Sequence, residues 1–228
     1  MAFDATSYNN FPSPLEGKGR MPASCLGLEE ATAAEPRDWG AAGAFALWRA
    51  GAAHDPRPLA LVTVKAWRGE RGGFSARGLK GLGIDPAGVI QVRAEKEAEA
   101  LWALEEALKS GAVRGGIATV EQASLVATRR LDFAAREGRA TGVLLRVLGS
   151  GDLSAARLRW RLKAEPSAPH PFDPRAPGAV RLTAELTRRR DGPLGAWELE
   201  QDHETHRLGL AAGLADHGLV QGRQAHAA

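Results

Sequence analysis

The side chains with the most chemical potential in this chain are cationic. Arg188, Arg189 and Arg190 stand side by side, while Arg68, Arg71 and Arg77 are interleaved with Trp67 and Phe74 in the glycine-rich run KAWRGERGGFSARGLK. Adjacent guanidinium groups neutralise phosphates, and aromatic rings among them offer stacking faces, so both runs are candidate contacts for single-stranded nucleic acid. Each run also has a plainer reading. The triplet can be a solvated strand end that blunts a sheet edge, and the 65–80 run a surface loop with one aromatic tucked inward. Asp202, His203, Glu204 and His206 form a second cluster. A zinc-protease pair needs His-Glu-x-x-His to set both imidazoles on one helix face; here the spacing is one residue short, and no metal site is expected. Cys25 is the single cysteine. It excludes an internal disulfide and a cysteine-built zinc site, fits a reducing compartment, and belongs to no readable nucleophile motif.

The apolar pattern supplies the scaffold that must position these groups. Leu59–Val64 (LALVTV), Val89–Val92, Ile117–Val120 and Thr141–Leu148 (TGVLLRVL) are short apolar runs of the kind buried in a sheet with both faces covered. Between them, 95–109 carries Leu101, Leu104 and Leu108 at helical spacing with Trp102 one step aside. Acidic residues fill its first turn, Lys109 its last, and Gly111 is placed to close it. Residues 39–50 (WGAAGAFALWRA) predict a helix with Asp38 as N-cap candidate, and 121–137 another with Leu125, Val126, Leu131 and Phe133 inward and Arg129, Arg130 and Arg136 outward. Strand, helix and strand across 77–120 make a parallel crossover. Trp102 and Trp160 are expected in the core.

Beyond 150 the character changes. RLRWRLK at 157–163, AVRLTAEL at 179–186 and AWELEQ from Ala196 alternate apolar with polar residues, the period of half-exposed strands. The expected fold class is therefore α/β, a mostly parallel central sheet flanked by helices and extended by antiparallel strands toward the C-terminus. Residues 1–22 lack apolar periodicity and are expected to be disordered, 23–201 to form the domain, and 202–228 to be a flexible or partner-binding tail with a weak helical signal at 208–214. The net charge is +3 and the pI about 9.3, compatible with a polyanionic partner without requiring one. No apolar run has the length of a membrane span and the N-terminus lacks the order of a signal peptide, so a cytoplasmic protein is expected.

Several blocks taken together, GLGIDP, VRAEKEAEALWALEEALKSGAV, ATRRLDFAA, RLRWRLKAEPSAP and LTRRRDGPLGAWELE, resemble the ImuA family, the RecA-related accessory proteins of bacterial mutagenic DNA repair. The resemblance runs from about Ala34 to Glu200. It implies a RecA-like core and a role in the SOS response to DNA damage, in translesion synthesis and mutagenesis. The partners it implies are ImuB, a catalytically defective polymerase relative, and through it an error-prone C-family polymerase, with RecA and single-stranded DNA as further contacts.

The same resemblance identifies where a RecA-type phosphate loop, Gly-Pro-x-x-x-Gly-Lys-Thr, would lie. This chain has Glu35, Pro36, Arg37, Asp38, Trp39, Gly40, Ala41 and Ala42 there. A phosphate loop needs the lysine ammonium for the β and γ phosphates and the hydroxyl for magnesium, and Ala41 and Ala42 provide neither. Glu35 and Asp38 would set negative charge against a triphosphate. Thr119 and Val120 end the strand where an ATPase presents a magnesium-binding carboxylate. The expectation is a protein without cofactor, metal or catalysis, an adaptor that assembles others. Two alternatives stay open: a nucleotide-dependent RecA paralogue that binds single-stranded DNA, and a cell-division inhibitor of the SulA type.

Overall fold

The structure, a computed structural model, describes residues 21–51, 55–66, 72–146, 153–170, 172–173 and 175–211. Its strands are β1 (Gly27–Ala33), β2 (Leu59–Val64), β3 (Val89–Ala94), β4 (Gly115–Thr119), β5 (Thr141–Arg146), β6 (Leu158–Glu165), β7 (Arg181–Arg189), β8 (Gly195–Gln201) and β9 (Leu208–Leu210). They form one nine-stranded sheet in the order β3-β2-β4-β5-β1-β6-β7-β8-β9. Pairing is parallel from β3 through β6 and antiparallel from β6 to β9. The expected α/β class, with its antiparallel extension, is the architecture of this chain.

Helix α1 (Trp39–Ala50) packs on one face with the short α2 (Ala76–Gly81) near the strand ends; α3 (Glu97–Lys109) and α4 (Leu125–Glu137) pack on the other. Alternation along the strands divides the core accordingly. Leu59, Leu61, Val143 and Leu145 face α1 with Phe45 and Trp160, while Val62 and Leu144 face α3 and α4 with Leu104, Leu108 and Leu131. Ser124 caps α4 by accepting from Ala127 N–H at 3.2 Å, so the helix starts at Leu125 rather than at Glu121. Gly111, at φ 68°, follows the C-cap Ser110 of α3 in the left-handed conformation that ends helices.

Several expectations are corrected. The crossover β3-α3-β4 passes over β2, which makes β3 an edge strand; Ile90 is 48% exposed, not covered on both faces. Trp102 is 60% exposed, Val126 66% and Phe133 63%. On α4 the buried face is instead Thr128, Leu131, Asp132, Ala134 and Ala135, because alanine lets the helix approach the sheet where larger side chains would hold it off. Trp160 is in the core, as expected, with rings of Phe45 and Trp197 against it at 5.1 and 5.8 Å. Leu208–Leu210 is strand paired with β8, not helix; residues from 212 lie outside the described part, as do 1–20 of the expected disordered segment and 147–148 of the expected fourth strand.

The strand that the sequence hides is β1, GLEEATA, the middle strand of the sheet. Glu29 and Glu30 are 0% and 3% exposed, a composition that reads as surface. Each glutamate has its cation. The Glu29 carboxylate accepts from Arg49 Nε and Nη2, both at 2.8 Å, from the Trp160 indole N–H at 3.1 Å and from Cys25 N–H at 3.0 Å. Arg49 also donates to the carbonyls of Pro22 and Ala23 at 2.8 and 2.9 Å, tying residues that precede β1 to α1. On the opposite face Glu30 pairs with Arg159 Nε at 3.0 Å. Buried charge is tolerated only with such partners.

Candidate functional site

The turn that joins β1 to α1 leaves the C-terminal end of a central strand, the usual ligand position in an open α/β sheet. Residues Pro36–Asp38 form a single 3-10 turn before α1. The Asp38 carboxylate is buried in it, 1% exposed, and accepts from Glu35 N–H at 3.0 Å and from Ala164 N–H of β6 at 2.9 Å. Asp38 thus stands at the N-cap position of α1 without bonding the helix; its carboxylate latches the turn to β6. Glu35 pairs with Arg37 Nε at 3.1 Å. An anion cradle depends on free backbone N–H groups and a positive end; here a side-chain anion already sits against the turn. Ala41 and Ala42, in the slots of the lysine and the hydroxyl, are 8% and 0% exposed and pack their methyl groups into the α1 core.

A cleft of about 240 Å³ opens beside this turn, lined by Trp39, Gly43, Phe74, Leu79, Thr119 and Leu145 among others. None of its described lining residues is charged, so a triphosphate would meet nothing among them to neutralise it. Thr119 closes β4 at 3% exposure with its hydroxyl unpaired among the described residues. Glu121, the nearest carboxylate in sequence, is exposed. Its N–H contacts Glu97, and its carbonyl accepts from Arg146 Nε and Nη2 at 3.0 and 2.7 Å. Among the described residues there is no group of three or more His, Cys, Asp or Glu that could hold a metal ion, and no helix is long and apolar enough to cross a membrane. Asp202 instead caps its own turn, accepting from Thr205 N–H and hydroxyl at 2.7 Å each, which holds its carboxyl below the usual range. The Cys25 thiol is pushed up to about 12, first by burial and then by the Glu29 charge, which removes the thiolate a nucleophile requires.

The arginines fall in different places. Arg68 and Arg71, with Trp67, lie outside the described residues, and Arg77 is exposed on α2. Arg188 and Arg190 join Arg129 and Arg136 of α4 and Arg157 along a groove of about 430 Å³ that also contains Phe133 and Leu153. Arg189 turns elsewhere, against Gly192. The separation arises from a β-bulge. Trp160 pairs with Leu186 but Arg159 with Arg188, leaving Thr187 unpaired. A bulge shifts the alternation by one residue. Leu182, Ala184 and Leu186 face α1, and beyond Thr187 the next side chain, Arg188, comes out on the α4 side with Arg159. Arg129, Phe133 and Arg136 were not legible as a site; the signal lies in their spacing along α4, which puts them on one stripe beside the buried face.

No family model matches the chain. Over 207 residues it is 37% identical to Protein ImuA of Caulobacter vibrioides, strain NA1000 / CB15N, and equally to that of strain ATCC 19089 / CIP 103742 / CB 15, covering 85% of this chain and 80% of each relative. Among solved structures, SulA from Pseudomonas aeruginosa matches with a TM-score of 0.45 at 24% identity, over 55% of this chain and 99% of that one.

Proposed function

The chain belongs to the ImuA family, and from that premise we propose that it is a non-catalytic, RecA-like adaptor of the SOS-induced translesion complex, binding ImuB and helping to bring an error-prone C-family polymerase to damaged DNA. The observation that carries the reading is the β1–α1 turn. Its buried carboxylate belongs to Asp38, and methyl groups stand where a lysine and a magnesium-holding hydroxyl would act. Such a turn suits a fold kept for its surfaces. The mechanism is assembly: holding two proteins on one scaffold raises the effective concentration of the polymerase at a lesion. ImuB is the direct partner in this reading, the polymerase is reached through it, and RecA filaments are a further contact. The complex works in the cytoplasm, and the contact region is the C-terminal segment 202–228, whose residues 208–210 pair with β8 as the last strand of the sheet.

The test is co-elution of the purified full chain with purified ImuB, beside ATP turnover with and without single-stranded DNA. Complex formation without nucleotide and turnover at background are expected. Turnover lost on changing Gly40 or Asp38 would overturn the adaptor reading, and capture of a tubulin-like division filament in place of ImuB would move the chain to the inhibitor class.

A further inference from the structure

The arginine groove between α4 and the ends of β6 and β7 is not used by the adaptor reading, and its composition is specific. Arg129, Arg136, Arg157, Arg188 and Arg190 line it against one carboxylate among the described residues, Asp132. That carboxylate is spoken for: Arg157 Nε lies 3.1 Å and Arg136 Nε 3.3 Å from its two oxygens. Arg129, Arg188 and Arg190 are exposed and have no carboxylate partner among the described residues. Phe133, 63% exposed, carries the Arg136 guanidinium 4.6 Å from its ring centroid. A phenylalanine held at the surface by a stacked cation is a platform for another flat group. Leu125 and Leu153 add apolar walls.

We propose that this groove binds single-stranded nucleic acid, with phosphates on Arg129, Arg188 and Arg190 and an unstacked base against Phe133. Unpaired arginines beside an exposed aromatic are how such strands are held without sequence preference. A groove of about 430 Å³ accommodates a nucleotide-sized group. A duplex keeps its bases stacked inward and would leave Phe133 idle. An acidic protein segment would satisfy the arginines but gives no reason for an exposed ring with a stacked guanidinium. The bulge at Thr187 supports the assignment, since without it Arg188 would point to the α1 side.

The experiment is fluorescence anisotropy of the full chain with a labelled oligothymidylate of about 20 nucleotides, a duplex of the same length, and polyglutamate as competitor, across a salt series. The single strand should bind more tightly than the duplex. R129A/R188A/R190A should weaken binding at least ten-fold and flatten the log–log salt slope by about 2, from roughly 0.7 per lost phosphate contact on a single strand. F133A should weaken binding about five-fold or more with the slope unchanged. R93A, exposed on the β3 edge away from the groove, should bind as the parent. The side chains changed are exposed, and unfolding midpoints verify that each variant is folded. No binding by the parent, an unchanged triple variant, or an equal loss in R93A would overturn the assignment. So would displacement by polyglutamate but not by unlabelled oligothymidylate, which would give the groove to an acidic protein partner. None of these results bears on ATP turnover or on ImuB, so this inference and the adaptor reading fail separately.

Discussion

Replacing Asp38 with alanine tests whether the β1–α1 turn is a structural latch rather than a vacated ligand loop. The carboxylate accepts one hydrogen bond from Glu35 N–H at 3.0 Å and one from Ala164 N–H at 2.9 Å. Hydrogen bonds to a charged group contribute about 1.5–3 kcal/mol each, which sets an upper range of roughly 3–6 kcal/mol for the pair. Glu35 is half-buried and Ala164 exposed, so water restores part of the loss, and D38A should cost roughly 2–4 kcal/mol. D38N preserves the shape and one acceptor oxygen and should lose about half as much. Urea denaturation followed by far-ultraviolet circular dichroism measures both, with a shift in midpoint at unchanged slope as the signature. Magnesium–ATP should still not bind D38A, because Ala41 and Ala42 remain buried methyl groups. A destabilisation below about 1 kcal/mol would refute the latch, and tight nucleotide binding by D38A would refute the argument from the missing lysine and hydroxyl.

R49A should be the more damaging change. It leaves the Glu29 carboxylate buried without its cation and the Pro22 and Ala23 carbonyls without a donor, at a cost of about 3–5 kcal/mol by urea denaturation, much of which a paired apolar replacement of both residues should recover. Cys25 should resist iodoacetamide at pH 8–9 in the folded chain and react once unfolded. Its pKa is raised in the folded state to about 12, so the folded chain retains the thiol proton that the unfolded chain releases. The contribution to stability is complete below the unfolded value near 9.0 and is lost as pH rises toward about 12. Rapid alkylation of the native thiol at pH 8 would contradict the burial.

What was legible in the sequence was local. Leu59–Val64 and Trp39–Ala50 read correctly to the residue, because apolar period and the turn residues that bound an element are properties of neighbours. β1 was not legible: two consecutive glutamates argue for a surface, and only Arg49 and Trp160, the latter 131 residues away, make them acceptable inside. Trp102, Val126 and Phe133 were assigned to cores because large apolar residues usually are, yet helix faces are chosen by what lies opposite, and α4 turns its alanines inward.

The sequence by itself determined the fold class and that no Gly-Lys-Ser or Gly-Lys-Thr is present, since the first follows from periodicity and the second from residue identity at a few adjacent positions. Only the tertiary structure decided that Asp38 closes the turn on β6, that β3 is an edge, and that Arg188 and Arg190 meet Arg129, Arg136 and Phe133 in one groove. The reason is physical. Those outcomes depend on pairing register, a one-residue bulge and contacts between segments far apart in the chain, and none of these leaves a mark in the order of neighbouring residues.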